Sequence, residues 1–188
     1  KSTLLKAIVG MLKVRQGDVR FKGKSLKGLR PDQVLRQGIC FVPQERALFP
    51  KMTVRENLRM GGFSMSDKSG LERRIDEIEE RFPILKERRE QHAGTMSGGQ
   101  QQTLAMARTM ILKPEIVMLD EPSLGLAPKI VQEVFKIMQV MAEEGITILL
   151  VEQNALMGLR HADWGVVLDL GKTLFEGLEE QMAEAGVA

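Results

Sequence analysis

Residues 97–122 read SGGQQQTLAMARTMILKPEIVMLDEP, and this stretch decides the fold. Its second half holds Ile116-Val-Met-Leu119, an apolar run of strand length that ends in Asp120 and Glu121 and is stopped by Pro122. Its first half opens on Ser97, a hydroxyl residue suited to cap a helix. Helical spacing follows to about residue 112. A helix thus feeds a buried strand that carries two acids at its carboxyl end, where ligands bind in an open parallel sheet. One acid there can hold Mg²⁺ through water, and a second can polarise an attacking water. Any solvated strand end can also carry two acids, so the pair gains meaning only from its surroundings. A capped helix explains Ser97 but not Gly98 and Gly99. Paired glycines weaken a helix unless something needs the space, and the free N–H groups of a helix start suit an anion.

Working outward, the alternation of strand and helix continues. A helix starts near Pro128, a strand runs over Ile146–Val151, a helix follows Asn154, and a strand covers Trp164–Leu168. Upstream, Ile39–Val42 is a strand that ends at Pro43, and residues 31–37 form a short helix with Pro31 in its first turn. Gly17-Asp18 is a turn and Val19–Phe21 a short strand. Residues 2–12 read as a helix, with Leu4, Leu5, Ile8 and Leu12 on one face. Apolar strands alternating with helices predict an α/β fold with a largely parallel sheet covered on both faces. Residues 52–96 interrupt that pattern and read as an inserted helical subdomain. Thr53 to Glu56 has capping-box spacing, Gly61-Gly62 ends that helix, and Leu71, Ile75, Ile78 and Phe82 mark an amphipathic helix stopped by Pro83.

The 188 residues form one domain by size. Basic and acidic side chains number 27 and 25, a net charge of +2, which argues against a nucleic-acid partner held by bulk electrostatics. No apolar run is long enough to span a bilayer. Cys40 stands alone, so no internal disulfide forms and a reducing compartment is expected. The chain starts at Lys1, directly before an apolar helical pattern, and is expected to be a fragment truncated within a phosphate-binding loop. The end, Ala185–Ala188, carries no capping signal and is expected to be clipped as well.

Lys1-Ser2-Thr3 before a helix fits the last part of G-x-x-x-x-G-K-[ST], in which backbone N–H groups cradle phosphates. The tripeptide alone says almost nothing. Its companions change that. Ser97-Gly-Gly-Gln-Gln101 resembles the signature motif of ABC ATPases, at the family's spacing before a Walker B strand that ends Leu119-Asp120-Glu121-Pro122. Phe41-Val42-Pro43-Gln44 resembles the family's Q-loop. The motifs span essentially the whole chain in the family's order. Three further stretches are similar to the ATPase subunits of branched-chain amino-acid importers: Leu48–Val54, Glu121–Pro128 and Leu150–Asn154. Related subunits import urea or short amides, and that alternative stays open. So does a non-hydrolysing fragment that only binds partner subunits.

The resemblance implies a P-loop NTPase core and hydrolysis of ATP with Mg²⁺. It implies that Lys1 neutralises the β- and γ-phosphates, Ser2 ligates Mg²⁺, and Thr3 contacts an α-phosphate oxygen. Asp120 would hold the Mg²⁺ shell, Glu121 would act as general base, and Gln44 would reach Mg²⁺ and the attacking water. Ser97, Gly98, Gly99 and Gln100 would face the γ-phosphate of ATP on a second ATPase subunit. Transmembrane permease subunits are the other implied partners, and the implied location is the cytoplasmic face of the cell membrane. The region after Gln44, including Phe49 and Pro50, would receive a helix of the membrane subunit. The family's upstream adenine-stacking aromatic is absent. Gln153 stands where most members have a switch histidine, and can donate a hydrogen bond but not become charged. Ala127 stands where an Asp is usual. His92, His161, Cys40 and Trp164 are read as structural residues.

Overall fold

The computed structural model describes residues 1–178 and residue 181. The expectation about Ala185–Ala188 lies outside them. In chain order the elements are α1 (Ser2–Ile8), β1 (Arg20–Phe21), β2 (Lys24–Ser25), α2 (Pro31–Arg36), β3 (Ile39–Val42), α3 (Val54–Gly61), α4 (Lys68–Arg81) and α5 (Pro83–Glu87). A 3₁₀ turn at Ala93–Thr95 leads into α6 (Gly98–Met110), β4 (Ile116–Asp120), α7 (Pro128–Glu143), β5 (Thr147–Val151), α8 (Ala155–Leu159), β6 (Gly165–Asp169) and β7 (Lys172–Gly177).

The central sheet is parallel, in the order β3-β4-β5. β4 lies in the middle, and the side chains of Val117, Met118 and Leu119 are fully buried, which explains its continuous apolar run. One apolar cluster contains Val117 and Leu119 and packs with α3, α4, α6 and α7. A smaller cluster joins Met118 to Leu5, Val9, Leu26, Val34 and Ile39. The alternating side chains of β4 therefore feed two cores, one on each face. Cys40 is buried in β3, and burial pushes its thiol up to about 12, which leaves it an inert core residue.

Local chemistry sets the helix ends. Thr53 accepts from the Glu56 N–H while the Glu56 carboxylate accepts from the Thr53 N–H, the expected capping box of α3. Asp67 caps α4, and Pro83 both stops α4 and opens α5. Between α3 and α4, Arg55 donates to Glu72, Asp76 and the buried Glu79. Burial works against the Arg55 charge, but the hydrogen bonds it donates to Asp76 and Glu79 outweigh it and raise its pKa.

Two expectations are corrected. The first helix ends at Ile8, short of residue 12. Gly10 adopts φ +75° and lies against the Leu29 carbonyl, so the chain turns there and leaves Leu12 half-exposed. The strand near Trp164–Leu168 exists as β6, but it does not extend the parallel sheet. It pairs antiparallel with β7 across the Leu170-Gly171 turn.

Candidate active site

Because β3, β4 and β5 are parallel, the segments that follow them emerge at one edge of the sheet. Gln44 follows β3, Asp120 and Glu121 end β4, and Glu152 and Gln153 follow β5. The start of α1 is drawn to the same edge. The Ser2 hydroxyl donates to Asp120 Oδ1 at 2.9 Å, joining residues 118 positions apart. Lys1 Nζ donates to the Glu152 carbonyl at 3.2 Å. Asp120 is only 2 % exposed, and a carboxylate buried so deeply requires a hydrogen-bond donor, which Ser2 supplies. Thr3 lies exposed in the first turn of α1.

Glu121 has φ +49°, a left-handed conformation that costs a side-chain-bearing residue about 1–3 kcal/mol. Its N–H donates to the Val151 carbonyl at 2.8 Å, which fixes the bend at the end of β4. Sequence patterning gave no role to Glu152. Its carboxylate accepts from the Ser123 N–H at 3.2 Å and the Gln153 N–H at 3.3 Å, tying the loop after Glu121 to the end of β5. The available signal was its position directly after an apolar strand, parallel to that of Glu121. Gln44 and Gln153 are exposed, and their side chains make no hydrogen bond among the described residues.

The serine–glycine segment is built separately. Ser97 Oγ accepts from the Gln100 N–H at 3.3 Å, and the Gln100 side chain accepts from the Ser97 N–H at 3.1 Å. This is a second capping box, closed by glutamine. The two glycines have different causes. A Cβ on Gly99 would run into the Ile130 side chain of α7, so packing inside the chain demands that glycine. A Cβ on Gly98 would meet only ordinary contacts, 3.5 Å to Arg46 and 3.6 Å to Leu126. Nothing among the described residues requires Gly98 to lack a side chain. Among the described residues no hydrogen bond links Ser97–Gln100 to Lys1, Ser2, Asp120 or Glu121. The sequence-derived site therefore falls into two groups, one at the sheet edge and one at the start of α6.

The donor set is oxygen-rich. Ser2 and Asp120 present hard oxygens side by side, and among the described residues no cluster of three or more His, Cys, Asp or Glu forms a metal cage. That pattern suits Mg²⁺, which takes one or two protein ligands and completes its shell from phosphates and water. It does not suit a zinc site.

The family model described as ABC transporter matches residues 1–124. The chain belongs to the ABC transporter family. It is 48 % identical over 172 residues to the high-affinity branched-chain amino acid transport ATP-binding protein BraG of Pseudomonas aeruginosa, covering 92 % of this chain and 73 % of that protein. It is 37 % identical to a probable branched-chain amino acid transport ATP-binding protein, LivF, of Archaeoglobus fulgidus, covering 98 % and 78 %. Its fold matches the ADP conformation of MJ1267, an ATP-binding cassette of an ABC transporter, with TM-score 0.85 and 27 % identity over 100 % of this chain and 79 % of that one. This ABC ATPase domain binds nucleotide and hydrolyses ATP.

Proposed function

We propose that this ABC ATPase powers the import of branched-chain amino acids. The observation that carries the site is the Ser2–Asp120 hydrogen bond, which brings the lysine–serine start of α1 onto the acidic end of β4. The relatives named for branched-chain amino acid transport support the substrate class.

In this reading Lys1 meets the β- and γ-phosphates, and Thr3 an α-phosphate oxygen. Ser2 and Asp120 would hold Mg²⁺, which would supply positive charge to offset the charge that develops on the transferred phosphoryl group. Glu121, bent out of the strand line by its left-handed backbone, takes the proton of the attacking water. Gln153 donates a hydrogen bond toward the γ-phosphate, and Gln44 orients the water and senses the membrane partner. Ser97, Gly98, Gly99 and Gln100 act on ATP held by a second ATPase subunit. The separation of the two residue groups within one chain and the unexplained bareness of Gly98 support that division. Closure of the pair would exclude bulk water from each shared site.

Residues 52–96 are taken as a helical subdomain that meets the transmembrane permease subunits. Phe49, 40 % exposed just before it, and Phe63, 80 % exposed within it, offer apolar surface. Among the described residues no helix is long and apolar enough to cross a membrane, so attachment at the cytoplasmic face would come through those subunits.

The test is Mg·ATP turnover by this protein beside Glu121→Gln. Turnover should fall roughly a thousandfold, since a general base contributes about 10²–10⁴. Nucleotide affinity should stay within about twofold. Equal turnover in both proteins would remove Glu121 from the role of base.

A further inference from the structure

The Arg46 side chain ties the loop that carries Gln44 to the start of α6, beside backbone hydrogen bonds from the Ala93 N–H to the Met52 carbonyl and from the Gly94 N–H to the Pro50 carbonyl, both at 2.9 Å. Arg46 Nε donates to Gln102 Oε1 at 3.1 Å, and Arg46 Nη1 donates to Gln101 Oε1 at 3.3 Å. The amide of Gln101 continues the path, donating to the carbonyls of Ala93 at 3.1 Å and Met96 at 3.3 Å. Those carbonyls belong to the segment that delivers Ser97. The Arg46 guanidinium also reaches the first residue of the helix, since a Cβ on Gly98 would lie 3.5 Å from Nη2.

Two features argue that this is more than surface packing. First, the loop is strained at the residue that makes the bond. Arg46 has φ +61° and Ala47 φ +48°, two successive residues with side chains in the left-handed region. Second, electrostatics opposes the placement. A cation is disfavoured at the positive N-terminal end of a helix dipole, and the partners of Arg46 are neutral amide oxygens, not carboxylates. Gln102 is only 2 % exposed, so its oxygen needs the donor that Arg46 provides.

We propose that Arg46 is a positioning residue, a latch through which the Gln44 loop and the Ser97–Gln100 segment move as one unit. The inference rests on the roles proposed for those two segments. A shift of the loop after β3 would then carry the start of α6 toward or away from the neighbouring subunit's nucleotide. The site at Lys1 and Asp120 would remain undisturbed.

The test is a double-mutant cycle of Arg46→Met and Gln102→Met, read by turnover and by binding of a fluorescent ATP analogue. Arg46→Met should lower kcat roughly tenfold, within the span seen for coupling residues. Its nucleotide affinity should remain within about twofold of the parent. The double variant should be no slower than Arg46→Met, because the Gln102 bond is already lost in Arg46→Met. Arg46→Lys, which keeps the charge and can reach one glutamine, should recover part of the rate. Additive losses, or a parallel loss of affinity, would overturn the latch while leaving ATP hydrolysis intact. If the parent protein itself fails to turn over ATP, the proposed function falls. Hydrogen exchange at Gly98–Gln101 then decides the latch, with faster exchange in Arg46→Met upholding it and unchanged exchange refuting it.

Discussion

At the residue scale, the paired glycines illustrate how one motif can answer two demands. Gly99 is bare because Ile130 fills the space a Cβ would need. Gly98 is bare with no cause among the described residues. Gly99→Ala should therefore destabilise the fold by about 1–3 kcal/mol, the usual penalty for overpacking, seen as a lower urea midpoint. Gly98→Ala should leave that midpoint within about 0.5 kcal/mol and reduce turnover. If both variants lose stability equally, Gly98 is structural and its assignment to a second subunit's nucleotide fails. Sequence spacing revealed the glycines and the Ser97 cap because both follow from local backbone chemistry. It did not reveal the left-handed backbone of Glu121 or the links of Glu152. Those depend on β5, a partner distant in the chain.

At the element scale, α3 and α4 are joined through charge. Arg59 donates to the Glu72 carboxylate at 2.6 Å, and Arg55 adds a bond at 2.9 Å. The Arg59 hydrogen bond is the main cause that holds the Glu72 pKa below its ordinary value of 4.5. A carboxylate depressed in the folded state stabilises fully above its unfolded pKa and loses that contribution as pH falls through the folded one. The urea midpoint should thus be higher in the parent than in Glu72→Gln at pH 7, and the gap should close progressively below pH about 4.5. A gap independent of pH would contradict an ionic role for Glu72. Most elements were legible in advance, because their apolar spacing, caps and prolines act locally. α1 and β6 were not fully legible. α1 stops at a turn set by the Leu29 carbonyl, and β6 chose β7 as its partner over the parallel sheet. Periodicity shows that a strand exists, but its neighbour is fixed by tertiary competition.

At the scale of the whole molecule, the parallel order β3-β4-β5 collects Gln44, Asp120, Glu121 and Gln153 at one edge, and the Ser2–Asp120 bond adds the start of α1. Ser97–Gln100 stands outside that group, linked instead to the Gln44 loop through Arg46. The motif order in the chain made the family legible, but only the fold shows that no hydrogen bond among the described residues joins the two groups. On the proposed reading one copy offers one half of each of two sites, and two copies complete both. The most direct test is the solution mass of Glu121→Gln, with and without Mg·ATP, beside the same protein carrying Ser97→Arg. A 21.0 kDa monomer should double in mass when Mg·ATP is added, and the Ser97→Arg protein should bind ATP and stay monomeric. A Glu121→Gln protein that binds Mg·ATP without doubling, or a Ser97→Arg protein that doubles equally well, would contradict it.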